Sequence, residues 1–237
     1  MDNEENFENL MNPNTTIFKL FLAVFDHKGD WREITKTAQP LKDTPPNTKF
    51  EYSGMNTMVL VLIIQSVSGM AFEDFFYERV WSKIGVELPH IISICMDGTP
   101  VPAGCNTTKP EDFLKFACIF TPAWQAVTLG DKPVVSEKVL KKMYDLGDPA
   151  CYPGSTESAY GYKWFGHMPE KNSAQWDHVF ADGAMFKHGN MGQGIYVDPA
   201  REFCAIYHGL ASNDESITGP DHSPGYLRAA AKKVAGF

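Results

Sequence analysis

The chain holds many side chains that do chemistry, but few of them stand at spacings that a mechanism uses. There are five cysteines, Cys95, Cys105, Cys118, Cys151 and Cys204. The number is odd, no two are close and there is no Cys-x-x-Cys, so neither a disulfide framework nor a structural zinc site is expected. Reduced or buried thiols are the simpler reading. His167, His178, His208 and His222 form no His-x-His or His-x-x-x-His spacing, so no metal is expected. Nothing beyond the presence of both residue types supports a Cys–His nucleophile pair. No Gly-x-Ser-x-Gly elbow occurs, which argues against an α/β-hydrolase. Ser-x-x-Lys is absent as well. A lone Thr-x-x-Lys, Thr16 to Lys19, is no more than chance supplies.

Two stretches remain. The first is Phe50-Glu51-Tyr52-Ser53-Gly54-Met55-Asn56-Thr57. The second is Lys187-His188-Gly189-Asn190-Met191-Gly192-Gln193-Gly194-Ile195-Tyr196-Val197-Asp198-Pro199. Taken alone, Tyr52 reads as a packing or capping aromatic ahead of an apolar helix. Lys187 alone reads as a solvated strand lysine. His188 alone is a base, a ligand or a surface residue. Trp164, Phe165, Trp176 and Phe180 read as core or cleft wall.

The elements that must hold these residues follow from pattern. Residues 15–25 are a short helix or a buried strand; the run does not decide. Residues 27–49 read as a loop, because Pro40, Pro45 and Pro46 forbid a continuing helix. Asn56–Val67 reads as a buried helix stopped by Gly69. Phe72–Ile84 reads as a second helix ended by Gly85. Thr108, Pro110 and Glu111 start a helix through Phe120. Ser136 caps a helix ending at Gly147. Four short aromatic and β-branched segments read as strands: Tyr160–His167, Ala184–Lys187, Gly194–Asp198 and Phe203–His208. The last two are joined by the turn Asp198-Pro199-Ala200-Arg201. Ser223-Pro224 opens a closing helix through Val234. Helices, then strands, then a helix predict an α+β fold. The expected layout is a helical subdomain over about 50–150, then sheet strands and the closing helix over about 155–237.

Composition bounds the function. The 237 residues are 43% hydrophobic, 13% aromatic and 21% charged, which is the profile of a folded chain with a real core. Lys and Arg number 21 against 29 Asp and Glu, a net charge of -8. That balance argues against a phosphate-tracking nucleic-acid binder. The longest unbroken apolar stretch, Met58–Ile64, is far short of the ~20 residues that a membrane span needs. The acidic start (Asp2, Glu4, Glu5, Glu8) carries no export signal, so the chain as it stands is expected to be cytoplasmic.

Together the two stretches resemble the serine β-lactamase-like superfamily: class C β-lactamases, penicillin-binding proteins, and related esterases and amide hydrolases such as nylon-oligomer hydrolases. The first is similar to that family's Tyr-x-Asn region, and the second to its Lys-Thr-Gly strand and following hairpin. The segments FEDFFYERVWSKIGVE, Met96-Asp97-Gly98 through Gly104, and Lys109-Pro-Glu-Asp112 resemble further family segments. The likeness runs from about Pro45 almost to the C-terminus.

The resemblance implies acyl transfer from an ester or amide to water through an acyl-serine, with no cofactor. In its terms Tyr52 is the base, Lys187 its electrostatic partner and Asn190 an oxyanion donor through its backbone N–H. Gly54, Asn56, His188 and Gly189 then face substrate. A phenol near pKa 10 is a usable base only where positive charge favours its phenolate. Gly189 has no Cβ, so substrate can lie against the strand. His188 stands where the family has Thr or Ser, which favours the esterase or amidase branch over β-lactam recognition. Gly54 stands where class C enzymes have asparagine. The Ser-x-x-Lys nucleophile is missing, so the chain is expected to be a truncated form with little activity alone. The alternative is a non-catalytic binding protein of the same fold. A third reading is a cysteine or metal hydrolase. The expected partner is a small-molecule ester or amide, with pairing to another chain along an exposed 203–209 strand edge.

Overall fold

A computed structural model of the chain describes residues 7–26, 28–40, 45, 53–89, 91–92, 100–102, 106–144, 176, 178–179, 183–189, 193–208 and 224–236. They form two compact units. One lies within Met1–Glu78 and His90–Thr107. The other lies within Arg79–Pro89, Thr108–Glu157 and Tyr162–Phe237.

The first unit is built from helices α1 (Phe7–Leu10), α2 (Thr16–Phe25), α3 (Trp31–Lys36), α4 (Gly54–Ser68) and α5 (Phe72–Arg79). A two-stranded antiparallel ribbon, β1 (Ile91–Ile92) with β2 (Asn106–Thr107), completes it. The ambiguous apolar run is thus a helix. The Thr15 hydroxyl caps it by accepting from the Phe18 N–H at 3.2 Å. Ile17, Leu20, Ala23 and Val24 bury one face, at helical spacing.

Helix α3 lies where a loop was expected. Asp30 caps it by accepting from the Arg32 N–H at 2.8 Å. Trp31 anchors it: the side chain is buried and its indole N–H donates to the Pro100 carbonyl at 2.9 Å. The prolines that argued for a loop fall after its end and do not oppose it.

Helix α4 begins at Ser53, whose hydroxyl accepts from the Met55 N–H at 3.2 Å. It ends at Gly69, at φ +68, a left-handed position that glycine takes without a Cβ penalty. The expectation of a buried helix holds for one face only. Met55, Met58 and Val61 enter the core with α2 and Trp31, while Leu60 is 59% and Val67 83% exposed. The continuous helix expected over Phe72–Ile84 breaks after Arg79. Trp81–Lys83 forms a single 3-10 turn, because the buried Trp81 donates its indole N–H to the Leu88 carbonyl at 3.2 Å. Ile84 then pairs with Thr128 as an isolated β-bridge.

The second unit holds α6 (Pro110–Cys118), α7 (Glu137–Tyr144), α8 (Pro224–Ala235) and a four-stranded sheet. The strands are β3 (His178–Val179), β4 (Met185–Gly189), β5 (Gln193–Asp198) and β6 (Phe203–His208), in that spatial order and all antiparallel. Lys109, not Thr108, caps α6, and it does so without a side-chain bond. Pro110 in the first turn needs no partner for an N–H. Ser136 caps α7 as expected, its hydroxyl accepting from the Val139 N–H at 3.4 Å. The expected strand Tyr160–His167 and the helix end at Gly147 lie outside the described residues.

The sheet is buried on both faces. Met185, Ile195 and Val197 pack with Ala117 of α6 and with Trp176 on one side. Phe186 and Tyr196 pack with Ala184 and with Ala231 of α8 on the other. Helices packed on an antiparallel sheet make the fold α+β, as the element order predicted. Among the described residues β6 is the last strand of the sheet, and no single helix is long and apolar enough to cross a membrane.

The turn from β5 to β6 is fastened by Asp198, which is fully buried. Its carboxylate accepts from the Arg201 guanidinium at 2.8 Å, the Arg201 N–H at 3.2 Å and the Tyr196 hydroxyl at 3.3 Å. The chain then passes through Glu202 at φ +52, a left-handed position for a side-chain-bearing residue. Glu202→Gly is expected to gain ~0.5 kcal/mol in urea unfolding, the relief of strain slightly exceeding the added freedom of the unfolded chain. A loss of stability would show that the Glu202 side chain contributes more than its backbone costs.

Candidate active site

Strand β4 carries three of the proposed site residues in succession. Its register with β5 pairs Lys187 with Ile195, His188 with Gly194 and Gly189 with Gln193. Alternation along the strand sets Lys187 and Gly189 on the same face as Met185, the face that α6 covers. Lys187 is half-buried there. A strand fixed by buried side chains on both faces gives these positions a rigid support. Asn190, the proposed oxyanion donor, lies outside the described residues.

The glycines of this hairpin differ in what holds them. A Cβ added at Gly189 would meet only Gln193, at an ordinary contact distance of 3.4 Å, so packing does not demand glycine there. A Cβ at Gly194 would meet the Phe186 ring at 2.7 and 2.8 Å, closer than atoms pack. Gly194 is therefore required by the core.

The other proposed residues begin α4. Gly54 is its first residue, and Asn56 stands exposed in its first turn. Tyr52 lies outside the described residues. Gly54 and Asn56 belong to the first unit and Lys187, His188 and Gly189 to the second. Thr16 and Lys19 are not built as a nucleophile and its activator: Thr16 is buried near the start of α2, while Lys19 is exposed to water.

The structure adds residues that spacing did not single out. Asp112 of α6 is fully buried and accepts from the Glu87 N–H at 3.1 and 3.2 Å, from the Leu88 N–H at 3.1 Å and from the Lys115 ammonium at 3.3 Å. Burial alone would raise its pKa. The two backbone donors and Lys115 outweigh that and hold it below the ordinary carboxylate value. Lys115 also donates to the Gly85 carbonyl at 2.6 Å. Asp112 therefore acts as a knot joining α6 to residues 85–88. Its place in the Lys109–Asp112 segment and in the first turn of a helix were the available signals, and neither reveals burial.

In the first unit a cavity of about 320 Å³ opens between Trp31, Arg32, Gln65, Phe72 and Glu73. Of the proposed site residues described in this unit, neither Gly54 nor Asn56 lines it. Among the described residues no group of three or more His, Cys, Asp or Glu side chains could hold a metal ion.

An α+β unit whose sheet carries Lys-His-Gly on a hairpin strand is what the serine β-lactamase-like class would present. The sequence matches the Beta-lactamase family over residues 13–231, and the chain belongs to that family. The match begins well upstream of Pro45, where the readable motifs start. Among solved structures, one named as a 6-aminohexanoate-dimer hydrolase from Bacillus anthracis superposes with a TM-score of 0.66 at 18% identity. It covers 92% of this chain and 55% of that one. One named as a beta-lactamase from Bacteroides dorei superposes with a TM-score of 0.63 at 15% identity, covering 100% of this chain and 69% of that one. An unguisins hydrolase of Aspergillus campestris is 21% identical over 169 residues, 58% of this chain and 30% of that protein. The chain thus spans about a third of the curated relative and about half of the Bacillus structure. These likenesses establish the fold. They give no support to the expected pairing of the β6 edge with another chain.

Proposed function

We propose that this chain supplies the proton-handling and charge-bearing side of an acyl-transfer hydrolase acting on an ester or amide. The observation that carries this is the family match, which spans the Lys187–Gly189 strand as well as the start of α4. Lys187 lends positive charge to the site, and Tyr52 takes the nucleophile's proton and returns it to the leaving group. The backbone N–H of Asn190 is one of the two oxyanion donors. Gly189, which packing does not require, lets the substrate backbone approach the strand. Gly54, Asn56 and His188 line the substrate side. With His188 in place of Thr or Ser, an amide or ester suits the site better than a β-lactam, and one structural neighbour is named as a 6-aminohexanoate-dimer hydrolase.

The attacking oxygen is not provided by a Ser-x-x-Lys of this chain, so the chain alone has little activity. The test is reaction with a fluorophosphonate and a chromogenic ester. The expected result is no stoichiometric serine labelling and negligible turnover. Stoichiometric labelling of any serine or threonine would overturn the missing nucleophile. In a longer chain that adds an upstream Ser-x-x-Lys, Tyr52→Phe and Lys187→Ala are each expected to lower kcat/KM about 100-fold, the low end for a lost acid–base group. Unchanged activity in either variant would remove that residue from the mechanism. If the longer chain neither hydrolyses nor labels, the binding-protein reading replaces this one.

A further inference from the structure

The cavity beside Trp31 is built from residues of the first unit alone. Its volume of about 320 Å³ stands at the small end for a ligand site, which suits a small metabolite and not a peptide. Val61, Met70 and Phe72 give it apolar wall, and three polar side chains join them: Arg32 of α3, Gln65 of α4 and Glu73 of α5. The Gln65 side-chain carbonyl accepts from the Phe72 N–H at 3.2 Å. A backbone N–H can meet only the oxygen of an amide, so the NH2 end of Gln65 is the end left to a ligand. The same bond brings Gln65 to the start of α5, where Glu73 directly follows Phe72. Glu73 is half-buried and makes no hydrogen bond or ion pair among the described residues. The Arg32 Nε meets Asp30 at 3.3 Å, and a guanidinium has five N–H donors, enough to hold Asp30 and a ligand's anion together.

We propose that this cavity binds a free α-amino acid with an apolar side chain. Glu73 accepts from its ammonium, the Gln65 NH2 group and Arg32 donate to its carboxylate, and its side chain lies against Val61, Met70 and Phe72. The mixed charges of the wall select a zwitterion. A lone amine would face Arg32 with no charge to answer it, and a lone acid would face Glu73 in the same way. An α-amino acid carries both charged groups on one carbon, which matches a donor amide and a carboxylate set at neighbouring points of the α4–α5 junction. The site is separate from the proposed substrate side, since Gln65 lies roughly 16 Å along α4 from Gly54.

The test titrates the isotope-labelled full chain with L-leucine, with leucinamide, which lacks the carboxylate, and with N-acetylleucine, which lacks the ammonium. Binding is read by NMR from the Gln65 side-chain amide and the Trp31 indole N–H. L-Leucine is expected to shift both signals saturably, and each analogue to bind at least about tenfold more weakly. Glu73→Gln is expected to weaken L-leucine about tenfold, while Lys187→Ala leaves its binding unchanged. An analogue that binds as well as L-leucine would overturn the proposal. So would the absence of any shift at millimolar L-leucine, shifts confined to the Lys187 strand, or undiminished binding by Glu73→Gln. If that variant fails to fold, the three probes on the unaltered chain decide. None of these outcomes depends on hydrolysis, so failure here leaves the proposed activity standing.

Discussion

Replacing Asp112 by alanine is expected to destabilise the second unit by ~3 kcal/mol and lower the melting temperature by ~10 °C. The carboxylate has no exposed surface, and it satisfies the Glu87 and Leu88 N–H groups as well as Lys115. Removing it leaves backbone donors beneath α6 with nothing to accept them, and each such group costs ~1–3 kcal/mol. Asp112→Asn keeps the shape but not the charge and is expected to recover part of the loss. The pH dependence carries the same signature. The folded pKa lies below the unfolded value, so the contribution is complete above the ordinary carboxylate range and fades as pH falls through the folded pKa. Below pH ~4 the stability gap between wild type and Asp112→Asn is therefore expected to narrow. Urea unfolding of both proteins across acid pH measures it. A gap that stays constant to low pH would show that the charge of Asp112 contributes nothing.

The second large effect is steric. Gly194→Val is expected to cost ~3 kcal/mol, the upper end of the overpacking range. Its Cβ alone would stand 2.7 Å from a ring atom of Phe186, which is fully buried and packed with Tyr196 and Ala231. The ring has no open side to move into. Thermal melting of Gly194→Val, Phe186→Leu and the double variant separates clash from strand propensity. The double variant is expected to be less destabilised than the sum of the singles. Strict additivity would mean that the ring and the new side chain do not meet, and the explanation by close approach would be lost.

How much of this was legible in the residues depended on whether the cause was local. The apolar run stopped by Gly69 and the Ser136 cap were local signals, and α4 and α7 form around them; the run over 15–25 did not decide between helix and strand, and it forms α2. The strands Gly194–Asp198 and Phe203–His208 match β5 and β6 to within a residue, and the turn between them is fixed by Asp198. What was not legible came from partners distant in sequence. Helix α3 depends on Trp31 reaching the Pro100 carbonyl. The break after Arg79 depends on Trp81 reaching Leu88 and Ile84 pairing with Thr128. The bare face of α4 was hidden because its middle, Met58–Ile64, is apolar on every side and gives no sign of which side its core lies on. Of the proposed site residues, Lys187, His188 and Gly189 fall on one strand, and Gly54 and Asn56 on one helical turn.

Strand β4 sits between two cores of different composition, with Met185 committed to one and Phe186 to the other. A slip of one position in its pairing with β5 would send each of these side chains to the wrong side, so both cores would have to fail together. The locations of Lys187 and Gly189 are thus inherited from their neighbours. Whatever residues connect β4 to β5 can drift in sequence, and the lysine keeps its address.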